Sequence, residues 1–235
     1  MSFIHDDKTF VMGLIAVDLQ GDGSKEEFAG ACETARRAME AHDIGGQYRQ
    51  SYRRKAAESD EALLSQVQTD LWDNYMVAAF VCMEMGIPKD LPLIAWASMN
   101  RRDFPSINGE IACMRALMWG GYDVNAKMSG GVTALHTMCN LKWGAGAHPR
   151  AVFHLIENGA DVNARSDSGD TPIITLCGNG DWTEGIDEAF KRLFNAGADM
   201  ELEANDGTSA WRLLQSQQKA NPVLLREQLI DELAA

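Results

Sequence analysis

The chain has 235 residues, 46% hydrophobic and 23% charged, which is ordinary globular composition and enough length to bury a sizeable core. Its 34 acidic and 21 basic residues leave a formal charge of −13. That balance argues against a nucleic-acid backbone or an anionic membrane as partner, because phosphate binding needs cations that displace counterions; it suits a basic protein steered in by the field, or simply acidic charge that keeps the protein soluble.

At the N-terminus, Asp6 and Asp7 precede the apolar run 10–17. A secretory signal has basic residues in that place, and the run is too short to span a bilayer; a cytoplasmic location is expected. Asp18-Leu19-Gln20-Gly21-Asp22-Gly23 is like the start of a calcium loop, but the twelfth position, which should be a bidentate glutamate, is Ala29. A polar turn without metal is expected there. Ser24 and Glu27 have capping-box spacing and open a predicted helix from Ser24 to Ala41, with Phe28, Cys32, Ala35 and Met39 on one face. Helix is predicted again from Tyr52 to Met85 with a break near Ser59, and Arg53-Arg54-Lys55 is its densest basic patch. Val77 to Gly86 reads as a helix that ends in a capping glycine.

Beyond residue 109 the sequence repeats itself. Gly121-Tyr122-Asp123-Val124-Asn125-Ala126-Lys127, Gly159-Ala160-Asp161-Val162-Asn163-Ala164-Arg165 and Gly197-Ala198-Asp199-Met200-Glu201-Leu202-Glu203 begin 38 residues apart. In phase with them run Thr133-Ala134-Leu135-His136, Thr171-Pro172-Ile173-Ile174 and Thr208-Ser209-Ala210-Trp211, behind Gly131, Gly169 and Gly207. An amphipathic helix is predicted before each glycine-led segment, over 111–119, 151–158 and 188–196. Threonine can start a helix because its hydroxyl satisfies an orphan N–H, and Pro172 fits a first turn. Such units cannot bury an apolar face alone, so neighbours must stack.

These two submotifs, repeated in register, resemble the ankyrin repeat, whose pattern runs G-x-T-P-L-H-x-A, a second helix, then G-A-D-V-N-A. The resemblance covers about 77–235 and is clearest over 109–208. Leu91-Pro92-Leu93-Ile94-Ala95-Trp96 stands where the TPLH segment would be one unit earlier, without a finger, and helices over 208–215 and 224–233 are expected as an altered last pair. The resemblance implies an all-α, ankyrin-type solenoid of helix-turn-helix repeats with short β-hairpin fingers. Residues 1–76 are expected to form an N-terminal helical cap, with a degenerate helix pair over 9–39 as the alternative, and 77–235 the stack. Family repeats run to about 33 residues; the surplus here falls in enlarged loops over 100–108, 141–149 and 178–186. The resemblance further implies that His136 hydrogen-bonds the adjacent finger. It points to a binding surface of finger tips (Lys127, Met128, Ser129, Arg165, Asp167, Ser168, Glu203, Asn205, Asp206) and of Asn140 and Asn179 at the ends of the inner helices.

No GxGxxG, P-loop, GxSxG or HExxH occurs. No catalytic residue, cofactor or metal is expected. Five cysteines, none at CxxC spacing, read as small buried hydrophobes in a reducing compartment. Trp143 and Trp182 occupy equivalent places in two enlarged loops, where they suit either an interface anchor or a cover for their own helix pair. Between Asp181 and Asp206 eight acids, Glu184 among them, face two bases. This net −6 is nearly half of the chain's charge, and it reads either as an ordinary solvated face or as a docking surface for a basic partner. The expectation is a monomeric, non-catalytic protein-binding module. It would be an inhibitor of the immunity-protein or antitoxin kind that neutralises a basic protein, or alternatively an adaptor or effector that recruits a partner.

Overall fold

The computed structural model describes residues 25–41, 43–99, 107–140, 149–179 and 184–218. Trp143, Asp181, Trp182, the polar turn at 18–23 and the helix expected over 224–233 lie outside the described residues. The chain divides into two compact units, Met1–Ala126 and Lys127–Ala235. Among the described residues the secondary structure is helical, with one isolated β-bridge between Glu203 and Ser209. No helix among them is long and apolar enough to cross a membrane.

The first unit holds α1 (Lys25–Ala41), α2 (Gly46–Glu58), α3 (Asp60–Glu84), α4 (Leu93–Ala97) and α5 (Ile107–Trp119). α1 buries the face its spacing foretold, Phe28, Cys32, Ala35 and Met39. The Arg115 guanidinium of α5 sits 4.0 Å over the Phe28 ring and holds the two helices together. The break between α2 and α3 is at Ser59, whose extended backbone (φ −173°, ψ 162°) stops one helix while its hydroxyl accepts the Ala62 N–H at 3.0 Å to start the next. α3 packs against α2, α4 and α5. Its last turns, Val77 to Cys82, are therefore buried all round. The boundary expected at residue 76 falls inside this helix.

The second unit holds a 3-10 turn (Ser129–Gly131), α6 (Ala134–Met138), α7 (Pro149–Glu157), α8 (Pro172–Cys177), α9 (Glu184–Asn195) and α10 (Ala210–Gln218). The short helices pack in sequence, α6 on α8 and α8 on α10, while the longer α7 and α9 pack on each other behind them. The core between the rows is made by Leu135, Cys139, Val152, Leu155, Ile173, Leu176, Phe190, Leu193 and Leu214. Phe153, on the outside of α7, is covered by the Arg192 guanidinium of α9 at 4.8 Å. All five cysteines are buried and free, as their apolar settings indicated.

The longer helices share one ending. After α7 the Ala160 N–H reaches the Leu155 carbonyl at 3.0 Å and the Gly159 N–H reaches Ile156 at 2.9 Å, with Gly159 at φ +88°. This is the left-handed cap that only glycine adopts freely. The same pair of bonds closes α3 at Ile87, α5 at Tyr122 and α9 at Ala198. After α1, Ile44 repeats the long bond to Met39, with Asp43 (φ +48°) in the glycine's place.

One expected register is off by a residue. The third inner helix is started by Ser209, whose Oγ accepts the Arg212 N–H at 3.3 Å, as Thr171 Oγ1 accepts from Ile174 at 3.4 Å. Ser209, not Thr208, is therefore the counterpart of Thr133 and Thr171. Serine caps as well as threonine does, and the matching letter one position early misplaced the alignment.

Candidate partner-binding groove

Each finger is built by local hydrogen bonds. The Asp123, Asp161 and Asp199 carboxylates accept the backbone N–H two residues on, at 2.8, 2.9 and 2.9 Å, which turns the chain outward. The return is closed by Met128 N–H to Val132 (2.8 Å), Ser166 N–H to Asp170 (3.0 Å) and Ala204 N–H to Thr208 (2.8 Å). Gly169 sits at the second tip with φ +83°, and a Cβ there would lie 2.8 Å from the Asn205 nitrogen of the next finger. The position demands glycine twice, for its backbone angle and for the close approach.

The fingers are then tied to one another. The Asp167 N–H donates to the Gly130 carbonyl at 2.8 Å and the Asn205 N–H to Ser168 at 2.9 Å. Lys127 Nζ reaches the Arg165 carbonyl at 2.9 Å, Arg165 Nη2 reaches the Glu203 carbonyl at 2.7 Å, and Asn205 Nδ2 reaches Asp167 at 2.8 Å. Glu203 does not reach onward but pairs with Arg212 at 2.8 Å. Thus Lys127, Arg165, Asp167, Glu203 and Asn205, all expected at the binding surface, spend polar groups on holding the fingers parallel. Met128 contributes its N–H to the hairpin, and Ser129 is exposed beside it.

His136 ties finger to helix. Its Nδ1 accepts the Thr133 N–H at 3.3 Å and faces the Thr133 hydroxyl at 2.9 Å; Nε2 then carries the proton and donates to the Asp170 carbonyl at 2.9 Å. Burial pushes the imidazole below its ordinary pKa, against the opposing pull of the Asp170 carbonyl. The neutral ring is the form this bridge requires.

Between the fingers and the short helices lies a groove of about 440 Å³. It brings together four of the expected residues, Asn140, Ser168, Asn179 and Asp206. Asn179 is buried, and its amide donates to the carbonyls of Cys139 (2.8 Å) and Leu176 (3.0 Å), joining the ends of α6 and α8. Ile174 and Leu213 supply apolar floor. Asp170, which the sequence reading passed over, lines the groove too and accepts from the Ser168 hydroxyl at 2.5 Å. Its place between the tip glycine and the helix-starting threonine was the available signal. The Thr208 N–H, at 2.8 Å, helps hold the Asp206 carboxyl below its usual range. The lining contains two carboxylates and neither lysine nor arginine.

Residues 130–167 match the family profile of the ankyrin repeat. The chain carries an ankyrin repeat in that stretch. The matched stretch runs from one finger tip to the next and includes α6 and α7, so the ankyrin repeat supplies one wall of the groove. No curated protein matches the chain. An ankyrin repeat marks a protein–protein interaction module, and all four groove residues lie in or directly beside the matched unit and its successor. Of the remaining expected residues, Glu184 opens α9.

Proposed function

We propose that the protein is a non-catalytic binding module whose groove receives a basic segment of a protein partner. The observation that carries this reading is the groove's lining: two carboxylates, several neutral hydrogen-bonding side chains and no cation. Such a surface attracts lysine and arginine and repels acidic competitors, which sets association rate and specificity more than raw affinity. The form of the function proposed is inhibition of a basic protein, in the manner of an immunity protein or antitoxin, with the protein acting as a monomer in the cytoplasm. The second reading, an adaptor that recruits its partner without silencing it, is favoured by a separate pocket in the first unit, described below. An N-terminal helical cap over 1–76 and a repeat stack over 77–235 are proposed as well, because the glycine cap shared by α3, α5, α7 and α9 first appears at Gly86.

Affinity capture with mass spectrometry identifies the partner, and titration of its activity separates the readings: an inhibitor abolishes it at a one-to-one ratio and an adaptor leaves it intact. Removing the groove charge with Asp170→Asn and Asp206→Asn, which keeps the acceptor oxygens, is expected to slow association about tenfold at low salt and to flatten its salt dependence. Unchanged association kinetics would remove the groove from the binding surface.

A further inference from the structure

The first unit contains a second cavity, of about 360 Å³, at the C-terminal ends of α3 and α5. Its apolar wall is made by Phe80, Met83, Ile87, Trp119 and Tyr122. Phe80, Ile87 and Tyr122 are buried, whereas Trp119 is 37% exposed, with its ring tilted against Phe80 at a centroid distance of 6.4 Å. The wall is fixed in place. The Tyr122 hydroxyl donates to the Ile87 carbonyl at 3.3 Å, and Gly120 makes room for Met83, whose Sδ would collide with a Cβ there.

Three charged side chains border the cavity. Arg36 is spent on Glu33 and Glu40 at 2.8 and 2.6 Å, and Glu84 is held by Arg49 at 2.7 Å. Lys89 has no ion pair or side-chain hydrogen bond among the described residues. Its ammonium lies over Gly121, 3.0 Å from where a Cβ would be. The uncommitted charge at this cavity is therefore positive, opposite in sign to the groove and to the chain as a whole.

We propose that this cavity is a second docking site, which takes a large apolar side chain next to an aspartate or glutamate from a protein partner. A half-exposed tryptophan over a packed apolar floor is the kind of anchor that dominates protein interfaces, and Lys89 at the rim selects the acidic neighbour. The inference does not rest on the groove; it gives the chain two sites that prefer segments of opposite charge.

The test is selection of random dodecapeptides displayed on phage against the full chain, counter-selected on Trp119→Ala. The expected result is a set of peptides with an aromatic or long aliphatic residue beside an acid. They should lose about thirtyfold or more in affinity to Trp119→Ala and up to about fivefold to Lys89→Gln. Replacing the peptide's acid by its amide should cost the wild type as much, and cost Lys89→Gln nothing further. They should bind Asp206→Asn as they bind the wild type, whereas groove-bound basic peptides should not. A pool that is basic, that survives Trp119→Ala, or that ignores Lys89→Gln overturns the proposal, as does a selection that yields no Trp119-dependent peptide. Thermal melting of both variants establishes that the fold is retained.

Discussion

Three glycines of the second unit separate backbone strain from crowding. Gly178 is in ordinary helical geometry (φ −71°), with its nearest neighbour 3.4 Å from a built Cβ. Gly159 has φ +88° in open space, and Gly169 has φ +83° with backbone and side-chain atoms inside 3 Å. Alanine at 178 is expected to be nearly neutral. At 159 it should cost about 1–2 kcal/mol from the left-handed backbone alone, and at 169 more, because the finger contact must also open. Urea unfolding of the three variants gives the order directly. His136 carries a pH signature. Its folded-state pKa lies below the ordinary 6.5, so as pH falls through 6.5 the unfolded chain takes up a proton that the folded chain refuses. The stability it contributes is complete above that value and is lost as pH falls toward the folded-state pKa. His136→Gln should be less stable at pH 7 by about 1–3 kcal/mol, the range for a buried polar group deprived of a partner, and its stability should fall less steeply with acid. Equal slopes for both proteins between pH 7 and 5 would place the titration elsewhere.

At the scale of elements, what the sequence made legible was periodic and what it hid was tertiary. The α1 face was readable because four apolar residues at helical spacing have one burial solution, and the finger motif was readable because glycine and aspartate are forced by backbone angle and turn geometry. The contribution of Lys127, Arg165 and Asn205 to finger-to-finger bonds was not readable, because a polar side chain at a loop tip looks alike whether it faces solvent or a neighbouring carbonyl 38 residues away. Asp170 escaped for a related reason: the position is Val132 in one unit and Thr208 in another, so no repeated letter marks it, and only the closed hairpin turns its side chain to the groove. The α2–α3 junction, by contrast, rests on one hydroxyl that the sequence did display. Ser59→Ala should lower stability by about 1 kcal/mol, and Ser59→Asp should largely preserve it, since a carboxylate accepts the same N–H. Denaturant titration followed by helical circular dichroism measures both.

The whole molecule carries its −13 charge unevenly. The groove presents carboxylates without cations, while the Trp119 cavity presents a spare ammonium. A partner that used the groove alone would show association rates that fall steeply with salt and that Lys89→Gln leaves unchanged. Engagement of both sites by linked segments would raise avidity without new contacts, through effective concentration. Comparing the affinity of one intact partner for the wild type, for Asp206→Asn and for Trp119→Ala distinguishes these cases: independent sites give separable losses, and one site gives a single loss.

The relay from Lys127 to the Arg165 carbonyl and from Arg165 to the Glu203 carbonyl has a direction. Two successive units each extend a cation to the unit that follows, whereas Glu203 is turned back on Arg212. At this position a lysine or arginine side chain bonds the next finger, whereas the glutamate bonds within its own unit. A unit inserted between two of these fingers is therefore expected to keep the relay when it carries a lysine or arginine at that position, and to interrupt it when it carries a glutamate.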